Sequence, residues 1–403
     1  MFKNRTIEKT IQKIDNNFKV LLLTGMRQVG KTTVLQDLAD NNRTYITLDD
    51  VLSLKLARED PYLFFQTYKL PLLIDEIQYA PELFSGIKML VDKSSQSGQV
   101  WMTGSQQFLL MKNVSESLAG RLAVLELMGF SIYEQEEKGH LQKPFLPSPT
   151  PASLLSRKSL LETYRIIWKG SFPEITLKED EMWAWFYGSF VKTYIERDVR
   201  QLLNIGNELS FYNFLKVVAA RTGQELNLTD IANMLDISLN TVKSWLSVLQ
   251  ASGVIYLLQP YYENITKRIV KRPKLYFIDT GLCAYLTDWN TPETLSSGAM
   301  SGAIFETFVI SEILKSYKHN GLSPSFYYYR DSNKVEIDLL IVQNGIFYPV
   351  EIKRTATPDK NMIKNFAVLE SLGKKTGYGS LICLVDRVLP LSQNANAISV
   401  WDI

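Results

Sequence analysis

The chain has 403 residues, 46% of them apolar and 21% charged; this is the mix of a folded globular protein too long for one ordinary core, so two or three domains are expected. Its 44 Lys and Arg against 42 Asp and Glu leave a net charge of +2, so only local clusters can argue for a nucleic-acid partner. The 2 cysteines, Cys283 and Cys383, lie far apart and the 2 histidines are His140 and His319, which argues against a disulfide framework, a zinc knuckle or a Ser-His-Asp hydrolase.

Any metal is therefore expected to be held by oxygen, which points to magnesium or manganese. Residues 1–10 are polar and do not resemble a signal peptide, and no apolar run approaches the roughly 18 residues of a membrane span. A cytoplasmic protein with no membrane partner is expected.

Lys19 to Thr24 is a short apolar run that reads as a buried strand. It leads into Gly25, Met26, Arg27, Gln28, Val29, Gly30, Lys31 and Thr32, a complete GxxxxGK[ST] motif, and then into a helical pattern from Thr33. In that context glycines let the backbone wrap phosphate oxygens, and successive N–H groups with a helix N-terminus supply positive potential. Lys31 is expected at the β and γ phosphates of ATP, and the Thr32 hydroxyl on magnesium.

A second apolar run, Leu70 to Ile74, ends in Asp75 and Glu76. Asp75 fits the magnesium shell, and Glu76 fits the general base that activates water. Val100 to Thr103 is a further strand that delivers Ser105 as a candidate γ-phosphate sensor, although a simple turn explains that serine as well. A helical stretch at 107–119 ends at Gly120 and Arg121, and this arginine is a candidate finger for a neighbouring subunit's γ-phosphate. With Thr44 to Asp49 as another strand, the first part reads as an open parallel sheet with helices on both faces.

Four prolines between 144 and 151 mark a linker, and an aromatic helical block follows over 154–220, its aromatics at core spacing. Over 228–258 the order helix, turn, helix, strand is the winged-helix pattern, with Thr229 and Ser238 as expected N-caps. Lys267, Arg268, Lys271, Arg272 and Lys274 crowd the hairpin that follows and suit DNA phosphates. Asn240 and Lys243 are the only base-reading candidates on the second helix, so sequence-specific readout is not expected. A packing or partner module with a merely solvated basic hairpin is the competing reading.

Near the end, a strand carries Asp338, a Gln343-Asn344-Gly345 turn follows, and the next strand carries Glu351 and Lys353 on one face. Glu306 sits at the start of a helix aimed at the same place. One acid, then acid-x-lysine, is the PD-(D/E)XK nuclease pattern, in which Glu306, Asp338 and Glu351 would hold magnesium and Lys353 would assist the attacking hydroxide. A charged relic without activity is the alternative.

The order of these parts resembles a large bacterial and archaeal family of AAA-related P-loop ATPases with a C-terminal domain of unknown function. The residues that carry the resemblance are Gly25 to Thr32, Leu72 to Glu76, Thr103 to Ser105, Gly120-Arg121, Gly170 to Glu174, Tyr194 to Asp198, Tyr276 to Leu282, Glu336 to Asp338 and Glu351 to Lys353. The family more often begins the Gly170 segment with paired glycines, where this chain has Lys169-Gly170. The resemblance implies an α/β P-loop sheet, a winged helix, a nuclease-like end and assembly into a homo-oligomer. The expected organisation is an ATPase domain over 1–135, a proline-rich linker over 136–153, a helical domain over 154–220, a winged helix over 221–285 and a PD-(D/E)XK-like α/β domain over 286–403. The function expected is ATP hydrolysis coupled to DNA; the alternative is a nucleotide-dependent switch that binds protein partners and cuts nothing.

Overall fold

The computed structural model describes residues 3–105, 118–195, 208–262 and 272–403. The expected 107–119 helix, except for its last two residues, and the cations Lys267, Arg268 and Lys271 lie outside these residues.

The first sheet has five strands among the described residues: β1 (Val20–Thr24), β2 (Thr44–Thr47), β3 (Leu72–Asp75), β4 (Val100–Gly104) and β5 (Leu122–Glu126). Their order is β2-β3-β4-β1-β5 and every pairing is parallel. A parallel sheet is covered on both faces, and the sequence obliges by making β1, β3 and β4 buried throughout.

Alternation divides the work. Val20 and Leu22 join Ile74, Met102, Phe84 and Ile87 on one face, while Leu21 and Leu23 join Trp101, Val34 and Leu35 on the other. Each fully buried Leu or Ile contributes about 1.5–3 kcal/mol. The second face does not end at the first sheet, because its core is continuous with the aromatic block and the C-terminal region.

In that block Tyr164, Trp168, Trp183, Tyr187 and Phe190 are core, as their spacing predicts, but Trp185 is 75% exposed. Helices Leu228–Leu235 and Leu239–Ala251 follow, the second capped by Ser238. The first is capped by Asn227 rather than Thr229: its side chain accepts from the Asp230 N–H, and Thr229 already lies inside the helix.

The second sheet has nine strands among the described residues, in the order β13-β14-β12-β11-β10-β9-β7-β8-β6. They are β6 (Gln224–Glu225), β7 (Ile255–Pro260), β8 (Lys274–Phe277), β9 (Phe326–Arg330), β10 (Glu336–Gln343), β11 (Ile346–Ile352), β12 (Gly379–Cys383), β13 (Leu389–Ser392) and β14 (Ala395–Ser399). The predicted hairpin joins β10 to β11, with Asn344 and Gly345 both at positive φ (51° and 75°), as a two-residue type I′ turn requires. β7 pairs in parallel with β9 through Gln259↔Tyr327 and Pro260↔Tyr328, so this sheet crosses the boundary expected at 285.

The proline-rich segment is held against the C-terminal region rather than looping into solvent. The Phe145 N–H donates to Ser316 Oγ at 3.0 Å, and Asn396 Nδ2 donates to the Ser148 carbonyl at 3.0 Å.

Candidate active site

The loop after β1 is shaped by residues at positive φ. Gly25 (φ 144°) runs so close to the Leu127 carbonyl that a Cβ would overlap that oxygen, and Gly30 (φ 90°) turns the chain into the helix Lys31–Leu38. Within the loop, Lys31 Nζ donates to the carbonyls of Gly25 (3.0 Å) and Met26 (2.8 Å). Arg27, Gln28, Gly30, Lys31, Thr32 and Thr33 line a cavity of about 350 Å³ together with Glu76 and Thr193. Thr193 arrives from the aromatic block, and no local pattern singles it out.

Thr32 Oγ1 donates to Asp75 Oδ1 at 2.7 Å. Thr103 Oγ1 donates to the same oxygen, and the Tyr45 hydroxyl donates to Asp75 Oδ2 at 3.2 Å. Burial first, and the Asp75 charge second, push the Tyr45 phenol up to about 12, so it remains a donor. Three hydroxyls therefore aim one carboxylate at the mouth of the loop. A threonine hydroxyl beside a carboxylate is a hard-oxygen pair that suits magnesium.

Glu76 follows in the left-handed region (φ 56°, ψ 45°), a conformation that costs a non-glycine residue on the order of 1 kcal/mol and turns this side chain to the cavity. Gln78 Nε2 donates to Glu76 Oε2 and also to Ser105 Oγ at 3.3 Å. Ser105 is buried and is linked to Glu76 through that amide.

Arg121 pairs with Asp92 at the opposite end of the sheet. It precedes Leu122, which is in register with Val20 at the start of β1, whereas the phosphate loop follows Thr24 at the end. That separation is about 15 Å along the strand, which rules out action at this chain's own loop.

Behind the loop lies a buried polar knot that sequence reasoning missed. Arg5 donates to the Val29 carbonyl (2.8 Å) and the Met128 carbonyl (2.7 Å), and its Nε lies 3.1 Å from Glu134 Oε1. Glu134, fully buried, also accepts from the Thr6 N–H (2.8 Å) and the Ser131 N–H (2.9 Å). Burial opposes its ionisation, but Arg5 and His319 outweigh it and hold the carboxyl well below its ordinary 4.5. The Met128 N–H donates to His319 Nε2 at 3.3 Å, and His319 Nδ1 faces Glu134 Oε1 at 3.3 Å. Lys315 and Glu312, on the same helix Ser301–Lys318, bond to the Phe130 carbonyl (3.0 Å) and the Ile132 N–H (2.9 Å).

The C-terminal acids also meet, around cations. Lys353 Nζ lies 2.7 Å from Glu351 Oε1 and 3.1 Å from Asp338 Oδ2. Lys274 Nζ lies 2.5 Å from Glu336 Oε1, 3.4 Å from Glu306 Oε1 and 3.7 Å from Asp338 Oδ1. Burial, then the charge of Asp338, push the Glu306 and Glu351 carboxyls upward. Among the described residues no group of three or more carboxylate, histidine or cysteine side chains is spaced to hold a metal ion. Lys274 and Lys353 stand among the expected ligands Glu306, Asp338 and Glu351. Burial corrects Lys274 as a DNA contact: the residue is 4% exposed and faces carboxylates. Lys243 and Arg272 are exposed.

The AAA domain family matches residues 17–136, and two domains of unknown function, DUF8612 and DUF4143, match residues 161–293 and 301–403. A Mycobacterium tuberculosis protein described as uncharacterized is 29% identical over 89% of this chain and 75% of its own length. A Methanocaldococcus jannaschii protein, also described as uncharacterized, is 26% identical over 84% of this chain and 74% of its own. Among solved structures, a Walker-type ATPase of Pyrococcus abyssi is similar at a TM-score of 0.42 and 16% identity, over 71% of this chain and 96% of that one; this likeness is too loose to carry weight. Among the described residues no helix is long and apolar enough to cross a membrane. The chain thus opens with an AAA-related P-loop ATPase domain and closes with a DUF4143 domain.

Proposed function

We propose that the protein binds magnesium-ATP in the 25–33 loop and hydrolyses it with Glu76 as general base, in an oligomer that works on or with DNA. The observation that carries this reading is the Thr32 hydroxyl seated on Asp75, with Glu76 the next residue and Lys31 on the same cavity. Loop amides and Lys31 bind the phosphates, while Thr32 and Asp75 would hold the ion. When bound, magnesium would supply neutralisation of charge developing on the phosphate oxygens. Glu76, braced by Gln78, takes a proton from the attacking water. Ser105 acts through Gln78, as a positioning residue.

Arg121 is expected to serve the next subunit, since its own loop is out of reach. The test is a mixing experiment. Lys31→Ala should lose nucleotide binding, and Arg121→Ala should keep it but lose about 10³-fold in kcat. Mixing the two should restore phosphate release above either alone, because some interfaces then pair an intact loop with an intact arginine. A normal rate for Arg121→Ala alone would discard the role in trans.

DNA binding rests on Lys243, Arg272 and the basic segment 267–271. Lys243→Glu with Arg272→Glu should weaken DNA binding, and the salt dependence (log K against log salt) should become shallower by about 0.9 for each phosphate that is no longer neutralised. DNA-stimulated ATP hydrolysis should fall with it. An unchanged salt slope and unchanged stimulation would favour the alternative, a nucleotide-dependent switch that binds protein partners.

A further inference from the structure

We infer that Lys274 is a resident cation, built into the place that a divalent metal would take among Glu306, Glu336 and Asp338, so that the C-terminal cluster is a metal-independent joint between two segments of the chain. This inference is independent of the ATPase reading.

Four observations carry it. First, the Lys274 ammonium approaches three carboxylates from two elements: Glu336 and Asp338 on β10, and Glu306 on the Ser301–Lys318 helix. Second, Lys274 is delivered by β8, which pairs with β7 and β6 and precedes the C-terminal domain in sequence. A strand alternates faces every residue, so Tyr276 points the same way as Lys274, and its hydroxyl donates to Glu306 Oε1 at 2.6 Å. Both polar groups on that face of β8 are thus committed to the same acid.

Third, the centre of the cluster is withdrawn from water: the side chain of Lys274 is 5% exposed and that of Asp338 6%, while Glu306 at 17% and Glu336 at 28% form its rim. A buried ammonium is retained only when carboxylates surround it, and the same is true of the acids in reverse. Fourth, magnesium binds oxygen at about 2.0–2.1 Å in a near-ideal octahedron, whereas these oxygens lie 2.5–3.7 Å from a nitrogen that would have to leave first. Lys353 performs the same service on the other side, between Asp338 and Glu351.

The probe is Mn²⁺ alone, followed by its free-ion electron paramagnetic resonance signal, on full-length protein carrying Thr32→Ala and without nucleotide. The expected result is no stoichiometric site. Introducing Lys274→Met into this background should create one, because three carboxylates lose their cation together, and adding Asp338→Asn should remove it again. If the background protein already binds one Mn²⁺ per chain and loses it with Asp338→Asn, the inference is overturned. A folded Lys274→Met protein that gains no Mn²⁺ also overturns it. Circular dichroism reports whether Lys274→Met folds; if it does not, the background titration decides alone.

Discussion

Glu76→Gln should leave ATP bound and its hydrolysis stopped. The substitution keeps size and backbone but removes the carboxylate that accepts the proton. General-base catalysis contributes about 10²–10⁴-fold, so phosphate release should fall by that factor. The dissociation constant for ATP should stay within about threefold, because loop amides, Lys31 and Thr32 are untouched. Single-turnover phosphate release and equilibrium binding of a fluorescent ATP analogue separate the two quantities. A variant that turns over at the normal rate would show that Glu76 is not the base, and attention would pass to another group on the cavity wall. Lys31→Ala should give the opposite split, with affinity lost first.

The second large effect is expected in stability and lies behind the loop. Arg5→Ala removes the guanidinium from a carboxylate with no solvent exposure, and breaking one half of such a pair costs about 3–5 kcal/mol. It also strips hydrogen bonds from the carbonyls of Val29 and Met128, so nucleotide affinity should fall together with the melting temperature. Glu134→Gln with Arg5→Ala should recover part of the loss, since the uncompensated charge is then gone.

The pH dependence has a definite sign. The Glu134 carboxyl is held below its ordinary 4.5 in the folded chain, so its contribution is fully present above that pH and is lost as pH falls further. Glu134→Gln should flatten the acid limb of a stability-against-pH curve below about pH 4.5. If acid denaturation is identical in wild type and variant, the knot does not carry that stability.

The P-loop, the strand before it and the Asp75-Glu76 step were legible in the sequence because each is a local pattern whose residues are neighbours in the chain. The β10–β11 hairpin was legible for the same reason, since Asn344-Gly345 encodes its own turn. Thr103 and Tyr45 on Asp75, Thr193 in the cavity wall, and the set of Arg5, Glu134 and His319 were not. Their long-range partners lie 24 to 191 positions away, and nothing in a single sequence records such a distance. β5 escaped as well, because Leu122–Glu126 is brief and its outer face is partly polar. Lys274 was misread because five cations in eight residues look alike in one dimension; only the pairing of β8 shows that one of them turns inward.

The parallel register between β7 and β9 has a mechanical consequence. Backbone hydrogen bonding that continues from β6 through to β13 joins the described strands after residue 220 into one plate, although its parts match separate sequence families. A shape change begun at the phosphate loop would then arrive at that plate as a tilt of the whole. The exposed Lys243 and Arg272 would be carried together with Lys353, keeping their mutual spacing while their angle to the ATPase sheet changes. A substrate lying across both modules would be turned rather than pulled apart.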